Sequence, residues 1–161
     1  MQKFHKFCPN CGDSIELVQF EDKARIQCNS CQSHFYFDPK VSSVCAVIHK
    51  GKVLLIKRGN EPGYGLWSLP GGYVDRFEMV ENAVIREVHE ELGINLKSLV
   101  LIGVYSNIDS PVIVIAFCSF GFEGQITNNN EVLDYDFFSP EALPPLAFET
   151  DLDVISKAMK S

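Results

Sequence analysis

Glutamates and one arginine recur at fixed spacing in residues 72–94, which read GYVDRFEMVENAVIREVHEELGI. Glu87, Glu90 and Glu91 lie three and four residues apart, so a helix would place them on one face. Carboxylates crowded in this way repel one another unless a cation lies between them. A hard divalent ion with oxygen ligands, Mg²⁺ or Mn²⁺, suits such a group. The alternative is a solvated acidic helix face, against which Arg86 stands among the acids.

The same stretch resembles the Nudix box of the Nudix hydrolase superfamily. Every specified position of that pattern is filled without a gap, by Gly72, Glu78, Arg86, Glu87, Val88, Glu90, Glu91, Gly93 and Ile94. The resemblance implies a metal-dependent hydrolase that cleaves pyrophosphate bonds of nucleotides. It also implies an α/β/α sandwich with a mixed sheet.

The resemblance further implies catalytic roles for the box glutamates. Glu87 and Glu91 are the expected ligands of Mg²⁺ or Mn²⁺, and Glu90 contributes directly or through water. Glu91 is also a candidate for the base that deprotonates the attacking water. A bound divalent ion would screen the phosphate charge and acidify that water.

The remaining box residues are expected to support the structure. An arginine among acids needs a partner, so Arg86 is predicted to pair with Glu78 and hold the helix against the preceding loop. Gly72 permits either a close backbone approach or a positive φ. Gly93 is predicted to stop the helix.

Candidates for substrate contacts and for a further catalytic carboxylate lie outside the box. Glu131, and after it Asp134, lie in a segment that resembles the family's later acidic stretch, where an extra metal ligand or base is often found. Lys57 and Arg58 follow an apolar strand and could contact substrate phosphate. Tyr64, in a glycine-rich loop, is a candidate for contacting a base or flavin ring. The alternative for each is an ordinary solvated side chain.

Four of the six cysteines form two CxxC pairs, Cys8 with Cys11 and Cys28 with Cys31, separated by sixteen residues. Four thiolates at such spacing can close a tetrahedral Zn²⁺ site. The intervening IELVQF and ARIQC are typical of a hairpin. The pattern predicts a zinc ribbon that folds only with its metal. A redox CxxC, the alternative, would place one pair between a strand and a helix.

A turn at Asp38 and Pro39 separates two predicted domains, the zinc ribbon over 1–38 and the Nudix domain over 39–161. Cys45 and Cys118 lie in apolar runs and are expected to be buried thiols. In the larger domain, periodicity predicts strands and helices that give a mixed α/β sheet between helices. The strands are predicted over 41–49, 53–58, 99–105, 112–120 and 133–138, and the helices over 79–92 and 151–159.

Length and charge limit the function classes. The 161 residues suffice for one ordinary core with a small appendage. A net charge of −7 argues against a broad basic surface for nucleic acid. No signal peptide and no apolar stretch of about 20 residues is visible. We therefore expect a cytoplasmic protein with a small nucleotide substrate and no membrane partner; a homodimer remains open.

Two branches of the superfamily combine a zinc ribbon with a Nudix box. NADH pyrophosphatases carry a serine-glutamine-proline signature after the box, which the corresponding YSNIDSP at 105–111 lacks. The chain is more similar to plant FAD pyrophosphatases, through DPK at 38–40, GLWSLP at 65–70 and LAF at 146–148. It departs from that branch at Asp38, where asparagine is usual, and at Phe77, where glycine commonly precedes the box glutamate.

The resemblance implies FAD, ADP-ribose or a similar nucleoside diphosphate derivative as substrate. NADH hydrolysis, removal of oxidised nucleoside triphosphates and removal of a nucleotide cap from RNA are alternative activities. A nucleotide-sensing protein without catalysis is the alternative of another class, although a sensor has no need of a complete box.

Overall fold

The computed structural model describes residues 6–20, 22–36, 39–127 and 129–160. Contacts divide the chain into two compact units, Met1–Asp38 and Pro39–Ser161. The turn predicted at Asp38 lies outside the described residues. Neither helix in the described part of the chain is long and apolar enough to span a bilayer.

The small unit is a three-stranded antiparallel sheet that extends the predicted hairpin by one short strand. Among its described residues only Cys8, Ile26 and Cys28 are buried. So small an apolar core cannot offset the entropy of ordering the chain, which is why small folds of this kind depend on a metal or disulfides. Its strands are β1 (Ile15–Phe20), β2 (Lys23–Cys28) and β3 (His34–Phe35).

The large unit is built on a mixed seven-stranded sheet, which confirms the predicted fold class. The predicted strands and helices all lie within two residues of the observed ones. The sheet contains β4 (Lys40–His49), β5 (Lys52–Arg58), β6 (Trp67–Ser68), β7 (Gly71–Tyr73), β9 (Val100–Ser106), β10 (Val112–Phe120) and β12 (Val132–Phe138). The other elements are the short pair β8 (Asn95–Leu96) and β11 (Phe122–Glu123), the helices α1 (Val80–Leu92) and α2 (Glu149–Ala158), and a 3₁₀ turn, Pro140–Ala142.

The five long strands lie in the order β12, β5, β4, β10, β9. Strand β10 runs parallel to β4, and the other pairs are antiparallel. Strands β6 and β7 pair with β5 and β4 and lead the chain from the sheet into α1. The sheet therefore delivers the box loop directly to the helix that carries the acids.

Both faces of the sheet are covered, as β5 illustrates. Leu54 and Ile56 belong to a core that includes α1, whereas Val53 and Leu55 belong to a second core that includes α2. Alternate residues of a strand point to opposite faces, so a continuous apolar run fits a strand buried on both sides. All four side chains are at most 1% exposed.

The two cysteines outside the CxxC pairs lie inside these cores. Cys45 belongs to the α1 core and Cys118 to the α2 core, and both are fully buried. Burial also raises the pKa of the Cys118 thiol. The prediction of buried core thiols is confirmed, and a buried neutral thiol is a poor nucleophile.

Candidate active site

Helix α1 positions the box acids because its apolar edge is fixed in the core. Val84, Val88 and Leu92 are fully buried. The helix ends at Gly93, whose φ of 68° is left-handed and whose N–H donates to the His89 carbonyl, as the sequence predicts. With the helix fixed in rotation, residues 87 and 91 face the β6–β7 segment.

Glu91 is a buried carboxylate, with 7% of its surface exposed. Its Oε2 accepts a hydrogen bond of 2.9 Å from the Gly71 N–H. Burial raises the pKa of Glu91 to about 8, and the charge of Glu87 adds to the rise, although the Gly71 hydrogen bond opposes it. A bound cation would favour the charged form of this carboxylate.

Glu87 lies against the backbone of Gly72. A Cβ at residue 72 would overlap the Glu87 carboxylate, so the glycine is required for a close approach. Of the two reasons expected for this glycine, the structure shows the first. Burial raises the pKa of Glu87, and the negative charges of Glu90 and Glu131 raise it further. The hydrogen bond and charge of Arg86 lower it.

Arg86, in the middle of α1, donates hydrogen bonds to several acceptors. Its Nε and Nη2 donate to the two carboxylate oxygens of Glu78 at 2.8 and 2.9 Å, so the predicted pair is present. Its Nη1 contacts Glu87 Oε1 at 2.8 Å and Glu90 Oε2 at 3.2 Å, and Nη2 also donates to the Tyr73 carbonyl. The bidentate pairing lowers the pKa of Glu78 to about 2.

The loop before β12 brings Glu131 to the site. Asn129 donates to the Glu90 carbonyl at 2.9 Å and accepts from the Glu131 N–H at 2.8 Å. The Glu131 carbonyl accepts from the Gly59 N–H at 2.8 Å. The loop is thereby tied both to the end of α1 and to the end of β5. Asn128, beside these residues, lies outside the described part of the chain.

A cavity of about 710 Å³ opens on these acids. Glu87, Glu91 and Glu131 line it, as does Arg58. Glu90, Lys57 and Tyr64 do not line it, so their predicted roles have no support from the cavity. Its other walls include Val44, Leu69, Gly71, Gly72, Tyr105, Asn107, Ser110, Val112, Val114, Phe148 and Asp151.

The carboxylates are hard oxygen donors in a partly buried group, which fits a divalent cation of the Mg²⁺ type. Among the described residues, the groups of three or more possible metal ligands are limited to the four cysteines of the small unit. Arg86 Nη1 lies 3.2 Å from Glu90 Oε2, so the carboxylate of Glu90 is paired with Arg86. Glu87 and Glu91 are the two box acids that the geometry brings together at the cavity.

Residues 39–158 match the family model of the NUDIX domain. The chain belongs to the Nudix family. It is 41% identical over 119 residues to an ADP-ribose pyrophosphatase from Methanocaldococcus jannaschii, covering 71% of this chain and 70% of that protein. Among solved structures, a Nudix hydrolase from Nitrosomonas europaea superimposes with a TM-score of 0.88 at 28% identity, covering 97% of this chain and 91% of the other.

A second group of relatives is named for a different activity. The NAD-capped RNA hydrolase NudC from Pseudomonas aeruginosa is 33% identical over 147 residues, which is 89% of this chain and 51% of that protein. The chain therefore spans about half the length of this relative.

Arg58 is the predicted substrate residue that the Nudix cavity includes. Its Nε donates to the Pro62 carbonyl at 2.8 Å and its Nη2 to Asn60 Oδ1 at 3.2 Å. Its guanidinium carbon lies 5.0 Å from the centre of the Phe148 ring. These contacts hold the Arg58 guanidinium at the cavity wall. Its positive charge favours the charged forms of the Glu91 and Asp151 carboxylates.

Sequence reasoning missed Asp151 of α2, Phe148 just before that helix and Tyr105 of β9, which all line the cavity. Asp151 is 3% exposed, and its Oδ2 accepts a hydrogen bond of 3.1 Å from the Leu69 N–H. Burial raises its pKa to about 7. An acid in the first turn of a helix is common because it suits the helix dipole, so its position alone gave no signal of a site.

The cysteines of the small unit form a separate group. Their sulfurs all lie within 4.8 Å of one another. The Cys8–Cys31 and Cys11–Cys28 sulfur distances are 3.7 and 3.4 Å, much longer than a disulfide bond of about 2.05 Å. Tetrahedral zinc with Zn–S bonds of about 2.3 Å places sulfurs roughly 3.8 Å apart, so the group fits a Zn²⁺ ion.

Proposed function

We propose that this Nudix hydrolase cleaves the pyrophosphate bond of an ADP derivative, with ADP-ribose and FAD as its preferred substrates. The observation that carries the proposal is the cavity that joins Glu87, Glu91 and Glu131 to Arg58. Its volume of about 710 Å³ lies in the range of small-molecule sites. The ADP-ribose pyrophosphatase relative supports the substrate class.

The carboxylates would have different roles in metal binding and proton transfer. Glu87 and Glu91 would hold the Mg²⁺ or Mn²⁺ ions, and Glu90 would join them after its carboxylate leaves Arg86. A bound divalent ion would screen the diphosphate and acidify a water molecule. Glu91 or Glu131 would accept the proton of the attacking water, whose oxygen bonds to phosphorus as the bond to the bridging oxygen breaks.

Arg58 would contact the substrate phosphates from the cavity wall. Its contacts with Pro62, Asn60 and Phe148 fix the guanidinium before substrate arrives, which lowers the entropy cost of binding. Lys57 and Tyr64 remain predictions for the outer loop. Tyr64 is 60% exposed, which suits contact with a flanking group rather than with the phosphates.

The four-cysteine cluster would hold one structural zinc ion with no open coordination position. We further propose a cytoplasmic location and leave the homodimer as a prediction. Fractionation of cells and light scattering of the purified protein test these two points.

The second candidate function is hydrolysis of NAD-type dinucleotides, free or as an RNA cap. The NudC relatives favour it, because their similarity extends over 89% of this chain. The same carboxylates would serve, since the bond that breaks is again a pyrophosphate.

The test is a hydrolysis screen with Mg²⁺ or Mn²⁺ over ADP-ribose, FAD, NADH, NAD-capped RNA and nucleoside triphosphates. We expect AMP with ribose 5-phosphate from ADP-ribose, and AMP with FMN from FAD. Reaction in ¹⁸O-labelled water would place the label on one product phosphate and so identify the attacked phosphorus. Stoichiometric nucleotide binding without turnover would contradict the proposal and favour a sensor.

A further inference from the structure

The segment Leu69–Gly72 is held by carboxylates from two different helices. The Leu69 N–H donates to Asp151 of α2 at 3.1 Å, and the Gly71 N–H donates to Glu91 of α1 at 2.9 Å. Between the two amides lies Pro70, which has no N–H to offer. The Leu69 and Gly71 N–H groups of this short segment therefore donate to acids that lie on opposite sides of the sheet.

The backbone of this segment is closely packed against its neighbours. Gly71 has a φ of 143°, and a Cβ there would overlap the Ser43 carbonyl oxygen. The next residue, Gly72, lies directly against the carboxylate of Glu87. A shift of the segment would therefore move the partners of Glu87 and Glu91 together.

We infer that Asp151 is a positioning residue for the catalytic centre, which fixes the Leu69 amide from α2 and so sets the backbone that orients Glu91 and Glu87. The inference rests on the proposed function. Asp151 is almost fully buried, and a buried carboxylate is costly unless its contacts are needed. Its raised pKa shows the same desolvation cost.

Two other roles for Asp151 give different results. A residue that only anchors α2 would affect stability without affecting metal affinity. A residue that contacts the substrate from the cavity wall would change KM for particular substrates and leave metal affinity unchanged. Positioning predicts a loss of metal affinity in the absence of any substrate, together with a fall in kcat shared by all substrates.

The matched pair of variants is Asp151→Asn and Asp151→Leu. Both remove the charge and keep the branching at Cγ, but only asparagine keeps an oxygen that can accept the Leu69 N–H. Asp153→Ala, at an exposed position of the same helix, is the control. Mn²⁺ binding is titrated without substrate, kcat and KM are measured with ADP-ribose and FAD, and thermal unfolding is followed by circular dichroism.

We expect Asp151→Leu to fold, because one unpaired buried N–H costs only part of the stability of a domain, and loss of the desolvated carboxylate offsets part of that cost. Its Kd for Mn²⁺ should rise at least threefold and its kcat should fall at least tenfold on both substrates. Asp151→Asn and Asp153→Ala should stay within threefold of the parent in both quantities.

Three results would overturn the inference. They are unchanged Mn²⁺ affinity in a folded Asp151→Leu variant, an equal loss in Asp151→Asn and Asp151→Leu, and a KM change confined to one substrate. If the leucine variant unfolds, Asp151→Ala, which also lacks an acceptor for the Leu69 N–H, takes its place in the same comparison. The titration needs no turnover, so absence of hydrolysis by the parent would reject the proposed function without deciding the role of Asp151.

Discussion

Glu91, the proposed catalytic carboxylate, lies in an environment that opposes its charge. Its pKa is raised from 4.5 to about 8, chiefly by burial. Because the folded pKa lies above the unfolded one, the metal-free protein gains most from Glu91 below about pH 4.5. That contribution is lost as the pH rises through 8. Without a bound cation, the charged form of this residue destabilises the fold.

We expect Glu91→Gln to cut turnover by orders of magnitude, because the interaction it removes acts on charge in the transition state. The same variant should raise the melting temperature of the Mg²⁺-free protein at pH 9 by a few degrees, since each pKa unit corresponds to about 1.4 kcal/mol. At pH 4 the parent and the variant should melt alike. Glu81→Gln, exposed on the same helix, is the control. A lower melting temperature at pH 9 would contradict this account.

Phe77 gives a second prediction at the level of a single residue. It departs from the glycine that the resemblance leads one to expect, and it has a φ of 65° with a fully exposed side chain. Left-handed backbone costs a non-glycine residue about 1–2 kcal/mol, part of which glycine returns through the entropy of its unfolded chain. Phe77→Gly should therefore stabilise the protein by about 0.5–1 kcal/mol in urea unfolding. Phe77→Ala keeps the strained φ and should give no gain; equal gains would assign the effect to the ring.

Among the secondary-structure elements, the start of α1 is fixed by a side chain within the helix. No side chain caps the helix at Met79, and the Arg86–Glu78 pair ties its first turns to the preceding loop. We expect Glu87→Gln to raise the Kd for Mn²⁺ at least tenfold. Glu78→Gln should raise it much less, because both carboxylate oxygens of Glu78 are paired with Arg86 and are not free to bind the metal. Equal losses of affinity in Mn²⁺ titrations would show that Glu78 is itself a ligand.

The long elements could be predicted from the sequence because each has a local signal. Strand β10 has an apolar run and α1 has spaced valines with a glycine stop. The pairs β6–β5 and β7–β4 were not predicted, since strands of two or three residues have no measurable period. The candidate site residues on α1 could also be predicted, because their spacing along one helix is a local signal. Asp151 was not, because it reaches Leu69 across 82 residues of sequence.

At the scale of the whole molecule, the two units differ in what stabilises them. The larger one has two apolar cores, whereas the described part of the smaller one buries little beyond Cys8, Ile26 and Cys28. We expect about one zinc per chain by metal analysis, and its loss in Cys28→Ser. Limited proteolysis should then cut within residues 6–36 while the larger unit stays protected. Ser30→Ala, exposed between two of the cysteines, is the control. Zinc-free protein with a Cys8–Cys31 disulfide would contradict the zinc site.

Under the proposed function, residues far from the Nudix box in the sequence would decide which substrate is preferred. Under that function, the acids of α1 would contact the diphosphate that ADP-ribose, FAD and NADH share, so they could not distinguish these compounds. The segment at 105–111 could distinguish them, because Tyr105, Asn107 and Ser110 line the cavity and the segment lacks the signature of NADH pyrophosphatases. We therefore expect kcat/KM for NADH to be below that of ADP-ribose or FAD in parallel assays with Mg²⁺. A clear preference for NADH would overturn the assignment to the FAD and ADP-ribose branch. It would leave the carboxylate chemistry in place, since that chemistry depends on the phosphates alone.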